Sequence, residues 1–518
     1  METTKPINSL VTPLLTDLYQ LTMAYGYWKS KRHNEEAVFE LFFRKNPFEG
    51  AFTIFCGLDE VVKFLAHFKF SKSDIEYLKS TPSLGRCDPD FFDDYLAKLD
   101  CSEVTVKSLP HGSIAFPRVP LLIVSGPLGI TQLLETTLLN LINFPSLIAT
   151  NAARMVVAAR GQKEDRMIRG KVPKCVEFGL RRAQGPDGGI SASKYCYVGG
   201  FDGTANVLAG KLCDLPIAGT HAHSFVQSYS SLDEVKGVTV KKEGSDEEIE
   251  LLPLVLKYRK RFGGKWLRTN DGELAAFIGY GSCFPHAFLC LVDTYSTIGS
   301  GVHNFVMAAL ALHECGYKPI GIRLDSGDLA ELSMQCAQVF EEVADKFQLP
   351  LFRHLEIVAS NNINEKTLQE YNKRGHGITM FGIGTNLVTC QSQPALGCVY
   401  KLVEINGKPR IKLSNEIVKV LIPGKKEAYR LYGEKKYPVL DVMIDLDGDE
   451  VPQAGVTGNY RHPFSKEAST LVTPSRVEKL HYIVWAEDKG LTNPLPSLKE
   501  TRAVSFTFTA CFLKSTFQ

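Results

Sequence analysis

The central part of the chain alternates short apolar runs with amphipathic segments, and this alternation limits the possible folds more than any other feature. Runs of branched apolar residues are typical of buried strands, and helical spacing recurs between several of them. Repeated strand–helix units require parallel pairing with right-handed crossovers. The predicted strands are 174–179, 215–219, 288–292, 319–324, 355–359 and 378–383, and the predicted helices are 301–315, 329–346 and 363–374.

The flanking regions have a different pattern. Before this region the sequence predicts a helix at 14–28, a strand at 37–43 and a long apolar helix at 128–149. After it the pattern is β-like, and Asn406-Gly407 between two strand-like runs predicts a hairpin. The expected fold is therefore α/β, with either a barrel or a doubly wound sheet at its centre. The expected domains are an N-terminal α/β domain 1–149, a central α/β domain 150–397 and a β-rich C-terminal portion 398–518.

Composition excludes several classes of protein. The 59 Lys and Arg residues nearly balance 57 Asp and Glu, so a nucleic-acid binder, which usually carries a basic excess, is not expected. The 13 cysteines include no C-x-x-C pair, which disfavours a zinc ribbon or a disulfide scaffold. No apolar stretch approaches the length of a membrane span, and no targeting signal is visible. We expect a cytosolic protein.

Polar residues follow the predicted strands, and in a parallel α/β barrel such strand ends share one face, where active sites lie. Taken alone, a Gly-Thr or Asp-Ser pair after a strand is more typical of a helix cap. Six strand ends with this chemistry together indicate a site. The series is Arg181, Arg182, Thr220, His221, His223, Asp293, Thr294, Arg323, Asp325, Ser326, Asp328, Ser360, Asn361, Asn362, Gly382, Gly384 and Thr385.

Two chemistries fit this series. Glycine and threonine after the last strand suit a phosphate, because backbone N–H groups approach an anion there, and arginines supply forked donors. Alternatively, His221 and His223 on one strand face would bind a divalent metal as in barrel metallohydrolases, with Asp325 or Asp328 as a further ligand. The residues alone leave both readings open.

Several longer motifs favour the first reading, because together they resemble the nicotinate phosphoribosyltransferase family. They cover about 490 residues in the expected order. The matching segments are LLTDLYQLTMAYGYW (14–28), FELFFRKNPFEGAF (39–52), EVTVKSLPHGSIAFP (103–117), TNAAR (150–154), EFGLRRAQGPDGG (177–189), GGFDGTANVLAG (199–210), IAGTHAHSFV (217–226), GIRLDSGDL (321–329), FGIGTNLVTC (381–390) and VPQAG (451–455).

The resemblance implies a fold and an activity. The fold is an irregular, TIM-barrel-like α/β barrel with an N-terminal α/β domain and a β-rich C-terminal portion, in a homodimer with shared active sites. The reaction joins nicotinate to 5-phosphoribosyl 1-diphosphate for NAD biosynthesis, with ATP as co-substrate and Mg²⁺ or Mn²⁺ as cofactor. A non-catalytic subunit that only dimerises is the alternative, because two segments depart from the family pattern. Segment 161–174 is longer than the family's usual connection, and the tail after 503 suggests a shortened C-terminal portion.

The resemblance also implies residue roles. His223 is the histidine that ATP phosphorylates, and Arg323 and Asp325 complete the catalytic set, with Asp325 the candidate metal ligand. The nicotinate residues are Tyr19, Thr220, Arg181 and Arg323, and those for phosphoribosyl diphosphate are Thr385, Gly384, Ser360, Arg181 and Asp328. Ala205 and Asn206 stand where the related nicotinamide enzyme has an acid after a Gly-Thr pair, so we expect a preference for nicotinate.

Overall fold

The computed structural model describes two compact units within residues 4–161, 167–416, 419–445, 448–464 and 468–516. Part of segment 161–174, residues 162–166, lies outside this described range, as do the last two residues of the tail. The division into three domains stays a prediction. One unit takes the chain up to Asn151, Lys194–Gly200 and the chain from Ser392 onward, and the other takes Ala152–Ser193 and Phe201–Gln391.

The first unit is built around a sheet that mixes strands from both ends of the sequence. Its seven strands lie in the order Lys408–Pro409, Cys398–Ile405, Glu36–Phe43, Leu122–Pro127, Thr105–Ser108, Tyr482–Ala486 and Gly490–Leu491. The strand Glu36–Phe43 is antiparallel to both of its neighbours. The N-terminal elements are β1 Glu36–Phe43, β2 Thr53–Ile54, β3 Thr105–Ser108, β4 Ile114–Ala115, β5 Leu122–Pro127, α1 Leu18–Lys29, α2 Leu58–Ala66, α3 Lys72–Ser80, α4 Leu128–Leu133 and α5 Glu135–Arg160.

The second unit contains the predicted strand–helix repeats. Its six-stranded sheet has the order β10-β11-β12-β13-β6-β7, and every pair is parallel. The elements are β6 Lys174–Glu177, β7 Gly203–Thr204, β8 Thr239–Lys241, β9 Glu248–Glu250, β10 Leu289–Leu291, β11 Gly321–Leu324, β12 Glu356–Ser360, β13 Met380–Ile383, α6 Gly185–Val198, α7 Val207–Cys213, α8 His223–Gln227, α9 Leu251–Phe262, α10 Asp271–Cys283, α11 Val302–Glu314, α12 Leu329–Phe347, α13 Glu365–Arg374 and α14 Thr385–Val388.

The C-terminal part of the first unit is β-rich, as predicted. Asn406 and Gly407 both have positive φ values, 49° and 69°, in the tight turn between β14 and β15, which confirms the predicted hairpin. The elements are β14 Cys398–Ile405, β15 Lys408–Pro409, β16 Lys426–Tyr432, β17 Pro438–Asp445, β18 Gly458–Arg461, β19 Ser469–Val472, β20 Arg476–Lys479, β21 Tyr482–Ala486, β22 Gly490–Leu491 and α15 Leu498–Thr516.

The fold confirms the α/β class with a parallel sheet, and it corrects one predicted strand. Segment 215–219 forms only a single parallel bridge, from Ile217 to Thr204. Pro216 has no N–H to donate, so a continuous ladder cannot form there. The sequence missed the short strand β7, which takes its place beside β6. Pairing of the two edge strands, which would close the predicted barrel, does not occur among the strand pairs of the described residues.

The predicted long helix 128–149 is two helices, and the second runs further. α4 ends at Leu133, and α5 continues to Arg160 with Pro145 inside it. Among the described residues, α5 is the one helix long and apolar enough to span a membrane, but 72% of its apolar window is buried inside the structure. Burial of this extent is typical of a core helix.

Candidate functional site

The register of the parallel sheet brings the carboxyl ends of its strands to one edge. Arg323 on β11 pairs with Leu291 and Val358, and Ser360 on β12 pairs with Gly382. Because all the strands run the same way, the polar residues that follow them meet at this edge. The second unit therefore assembles much of the series that the sequence predicted.

His223 lies at the centre of this edge, at the first residue of the short helix α8. Its Nδ1 atom is 3.1 Å from the hydroxyl of Thr294. Its Nε2 atom is 3.6 Å from Asp325 Oδ2 and 4.0 Å from Asp293 Oδ1. The imidazole side chain is 39% exposed, so a reactant from solvent can reach it. One ring nitrogen thus faces two carboxylates and the other faces a neutral hydroxyl.

Asp293 anchors the loop that follows the neighbouring strand. Its side chain is 1% exposed, and its Oδ2 atom accepts hydrogen bonds from the Asp325 backbone N–H and the Ser326 hydroxyl. Its Oδ1 atom has no hydrogen-bond donor among the described residues. The two acidic residues near His223 are therefore held as a pair. The sequence series contained Asp293 and Thr294 but gave them no role.

Arg323 and Ser360 hold the other side of Asp325. The Ser360 hydroxyl donates to Asp325 Oδ1, and Arg323 Nε donates to Ser360 Oγ over 3.0 Å. Arg323 also donates from Nη1 to the His221 carbonyl over 3.4 Å. Arg323, Asp325, Ser360 and His223, which the sequence predicted separately, therefore form one connected group.

His221 does not share a ligand position with His223. Its Nε2 atom accepts the Leu291 backbone N–H, and its ring packs against Phe225 and Tyr280. Burial lowers the pKa of His221 to about 4, so the ring is neutral near pH 7. No group of three or more His, Cys, Asp or Glu side chains that could hold a metal occurs in the described part of the chain. The geometry gives no support to the metallohydrolase interpretation.

Of the remaining predicted binding residues, Thr220, Gly384, Thr385 and Arg181 lie in the second unit, and Tyr19 lies in the first. Thr220 donates its hydroxyl to the His221 carbonyl, and Gly384 and the exposed Thr385 begin α14 after β13. Arg181 is exposed in the turn after β6. Tyr19 lies on α1 in the first unit, 48% exposed.

Asp328 has a structural role in the second unit. It caps α12 by accepting the Glu331 backbone N–H, and it pairs with Arg374 at 2.6 Å. The hydrogen bond from Arg374 lowers the pKa of Asp328. Both carboxylate oxygens already have partners, so a further role in substrate binding stays a prediction.

Comparison with known proteins shows to which family this chain belongs. Sequence profiles described as the nicotinate phosphoribosyltransferase N-terminal domain, family and C-terminal domain match residues 14–143, 173–437 and 425–511. A nicotinate phosphoribosyltransferase of Dictyostelium discoideum is 50% identical over 509 residues, which cover 97% of this chain and 83% of that protein. The chain belongs to the nicotinate phosphoribosyltransferase family. The resemblance found in the sequence is confirmed.

Two further proteins are similar to this chain over nearly its whole length. Nicotinate phosphoribosyltransferase 2 of Arabidopsis thaliana is 49% identical, with 96% of this chain and 88% of that protein covered. The crystal structure of human nicotinic acid phosphoribosyltransferase superposes with a TM-score of 0.83 at 42% identity, covering 96% of this chain and 94% of that one. The family fold, which contains a parallel sheet, an N-terminal part and a β-rich C-terminal part, is thus the fold of this chain.

Proposed function

We propose that the chain is an ATP-coupled nicotinate phosphoribosyltransferase of NAD biosynthesis. It joins nicotinate to 5-phosphoribosyl 1-diphosphate and releases nicotinate mononucleotide and diphosphate. Family membership supports the reaction class. The position of His223 between Thr294 and the acidic pair carries the proposal for ATP coupling.

His223 serves as the phosphoryl acceptor in this proposal. The two carboxylates keep the imidazole proton on Nε2, because that nitrogen faces Asp325 and Asp293. The Nδ1 lone pair is then free to attack the γ-phosphorus of ATP once the Thr294 hydroxyl turns away. The N–P bond forms as the bond to ADP breaks, and the carboxylates stabilise the positive ring. Water later cleaves the phosphoramidate and releases phosphate.

Transfer of the phosphoribosyl group needs positioning and charge stabilisation. The bond from C1 of the ribose to diphosphate breaks while the pyridine nitrogen of nicotinate forms its bond to C1. That nitrogen has a lone pair, so the step needs no general base. Arginine donors stabilise the departing diphosphate. Arg323 and Arg181 serve the anionic groups of both substrates, and Thr220 lies near the nicotinate. Tyr19 stacks on the pyridine ring from the neighbouring subunit of the proposed homodimer.

We assign the 5-phosphate of the sugar to the carboxyl ends of β12 and β13. Ser360 is the last residue of β12, and Gly384 and Thr385 follow β13. Backbone N–H groups at the start of α14 suit an anion. Asp328 is assigned to the same substrate. We further propose a cytosolic homodimer with shared active sites, in line with the family resemblance.

The acidic pair also fits a divalent cation. Mg²⁺ binds one or two carboxylates together with substrate phosphates. Asp293 Oδ1 is a buried acceptor without a donor among the described residues, and Asp325 Oδ2 faces the same imidazole. Asp325 and Asp293 would hold Mg²⁺ or Mn²⁺, which supplies positive charge to the diphosphate.

A product assay tests the proposed activity. The purified chain is incubated with 5-phosphoribosyl 1-diphosphate and either nicotinate or nicotinamide, with and without ATP. We expect nicotinate mononucleotide as the product, ATP consumption alongside its formation, and far less product from nicotinamide. No product from nicotinate under any of these conditions would favour the non-catalytic alternative.

A further inference from the structure

Glu177 is a buried acid that the proposed chemistry does not use. It ends β6 and is 1% exposed. Its Oε1 atom accepts the Gly179 backbone N–H, and its Oε2 atom accepts the hydroxyls of Ser193 at 2.9 Å and Thr204 at 2.5 Å. An ionised carboxylate is an acceptor-only group and can satisfy all three donors at once. Glu177 therefore fixes three separate segments to one strand end.

The first of these segments is the turn that begins with Phe178. Arg323 Cζ lies 5.7 Å from the centre of the Phe178 ring. A Cβ atom on Gly382 would lie 2.4 Å from that ring, and one on Gly384 would lie 3.1 Å from the Phe178 carbonyl. The turn is thus packed closely against the proposed phosphate cradle and beside Arg323. Arg181 lies in the helical turn that follows Gly179 directly.

The second segment is the end of β7. The Thr204 hydroxyl that donates to Glu177 also accepts the Asn206 backbone N–H over 2.9 Å. The Glu177 carbonyl accepts the Ala205 backbone N–H over 2.8 Å. Ala205 is the exposed residue at the position where the sequence predicts the choice between nicotinate and nicotinamide. The carboxylate and the backbone carbonyl of Glu177 therefore both hold segments that carry residues proposed to affect substrate binding.

We propose that Glu177 is a positioning residue that sets the geometry of the nicotinate and phosphate sites through Gly179 and Thr204. This inference rests on the proposed function. Hydrogen bonds to a charged acceptor are about twice as strong as neutral ones, so loss of the charge loosens both segments. The substrates then bind more weakly, while the reacting groups around His223 keep their own contacts.

The test compares Glu177→Gln with Glu356→Gln. Glu356 lies at the opposite, amino end of the sheet and accepts the Thr379 hydroxyl and Lys171. It is a matched control, because it also loses a charged acceptor within the same sheet. We expect Glu177→Gln to raise KM for nicotinate and 5-phosphoribosyl 1-diphosphate about tenfold or more, with kcat within about threefold. Glu356→Gln should keep both KM values.

A second pair of variants covers the case in which Glu177→Gln does not fold. Thr204→Val removes the hydroxyl that Glu177 and Asn206 share, and Thr204→Ser retains it. We expect raised KM values in the first variant and near-parent values in the second. An active parent whose KM values are unchanged in Glu177→Gln and Thr204→Val would overturn the role of Glu177. Equal KM increases in Glu356→Gln would also overturn it, whereas an inactive parent contradicts the proposed function instead.

Discussion

Arg323 tests how strongly the site depends on a planar side chain. Its guanidinium contacts Ser360 and the His221 carbonyl through two different nitrogens. Lysine keeps the charge but has no fork, so Arg323→Lys should lose one charge-assisted contact, worth about 1.5–3 kcal/mol. We expect kcat/KM to fall about 10- to 150-fold. The matched control is Arg353→Lys, on a half-buried arginine outside the site that pairs with Glu341. Equal kinetics for the two variants would place Arg323 outside the site.

Ala205 tests substrate choice at the residue scale. Its side chain is exposed, and its backbone N–H is fixed to the Glu177 carbonyl. A carboxylate there would repel the nicotinate anion, so we expect Ala205→Asp to lower kcat/KM for nicotinate about tenfold or more. Ala205→Asn, which adds the same volume without charge, is the control. A drop of equal size in both variants would indicate a steric effect and contradict the electrostatic explanation.

Individual site residues were predictable where a strand end carried them. His223, Arg323, Asp325 and Ser360 were found in this way, and the structure connects them. The role of Asp293 was not predictable, because it depends on a backbone N–H from the next strand. Such a contact exists only after the two strands pair.

At the scale of elements, Asn206 belongs to the framework of α7. Its side-chain oxygen accepts the Ala209 N–H as a helix cap, and its Nδ2 donates to Ser193 over 3.2 Å. The residue is 1% exposed. Asn206→Asp keeps the cap but places a buried carboxylate where a donor is needed, near Glu177. We expect a loss of about 2 kcal/mol or more in the free energy of unfolding, measured by urea denaturation.

Asn206 and its neighbour Ala205 are therefore expected to have different roles. The sequence places both residues where the related nicotinamide enzyme has an acid. Because Asn206 is buried and Ala205 is exposed, the structure assigns stability to the first and specificity to the second. A stable Asn206→Asp variant with weakened nicotinate use would contradict this division.

The long elements were predictable because their apolar spacing is strong. Predicted helix 329–346 and observed helix α12 differ by one residue, and Asp328 provides the cap. The short strand β7 and the break between α4 and α5 were not predictable from periodicity. A two-residue strand has no pattern, and the break at Leu134 leaves the apolar run continuous.

At the scale of the whole molecule, buried titratable groups set the stability against acid. Burial lowers the pKa of His111, His221, His303 and His481 to about 4, below the value of about 6.5 in an unfolded chain. These histidines stabilise the fold above pH 6.5, and that contribution is lost as the pH falls toward 4. Burial raises the pKa of Glu40 and Glu273 to about 7. These two glutamates therefore act in the opposite direction, because they stabilise the fold as the pH falls below 7.

The difference between the numbers of protons bound by the unfolded and the folded chain predicts how the free energy of unfolding changes with pH. Between about pH 5.5 and 4.5 the unfolded chain holds close to four protons on these histidines, and the folded chain holds two on the glutamates. The difference of two protons lowers the free energy of unfolding by about 3 kcal/mol per pH unit. Urea denaturation at pH 6.5, 5.5 and 4.5 measures this slope. A free energy of unfolding that stays constant or rises on acidification would contradict it.

The most direct test of the whole account is phosphoryl transfer to His223. The parent, His223→Ala and His286→Ala are incubated with ATP labelled at the γ-phosphate, and His286 is an exposed control histidine. We expect acid-labile labelling and ATP hydrolysis in the parent and in His286→Ala. His223→Ala should show neither, while retaining some uncoupled formation of nicotinate mononucleotide. A labelled His223→Ala protein would contradict the account and would direct the search to His221.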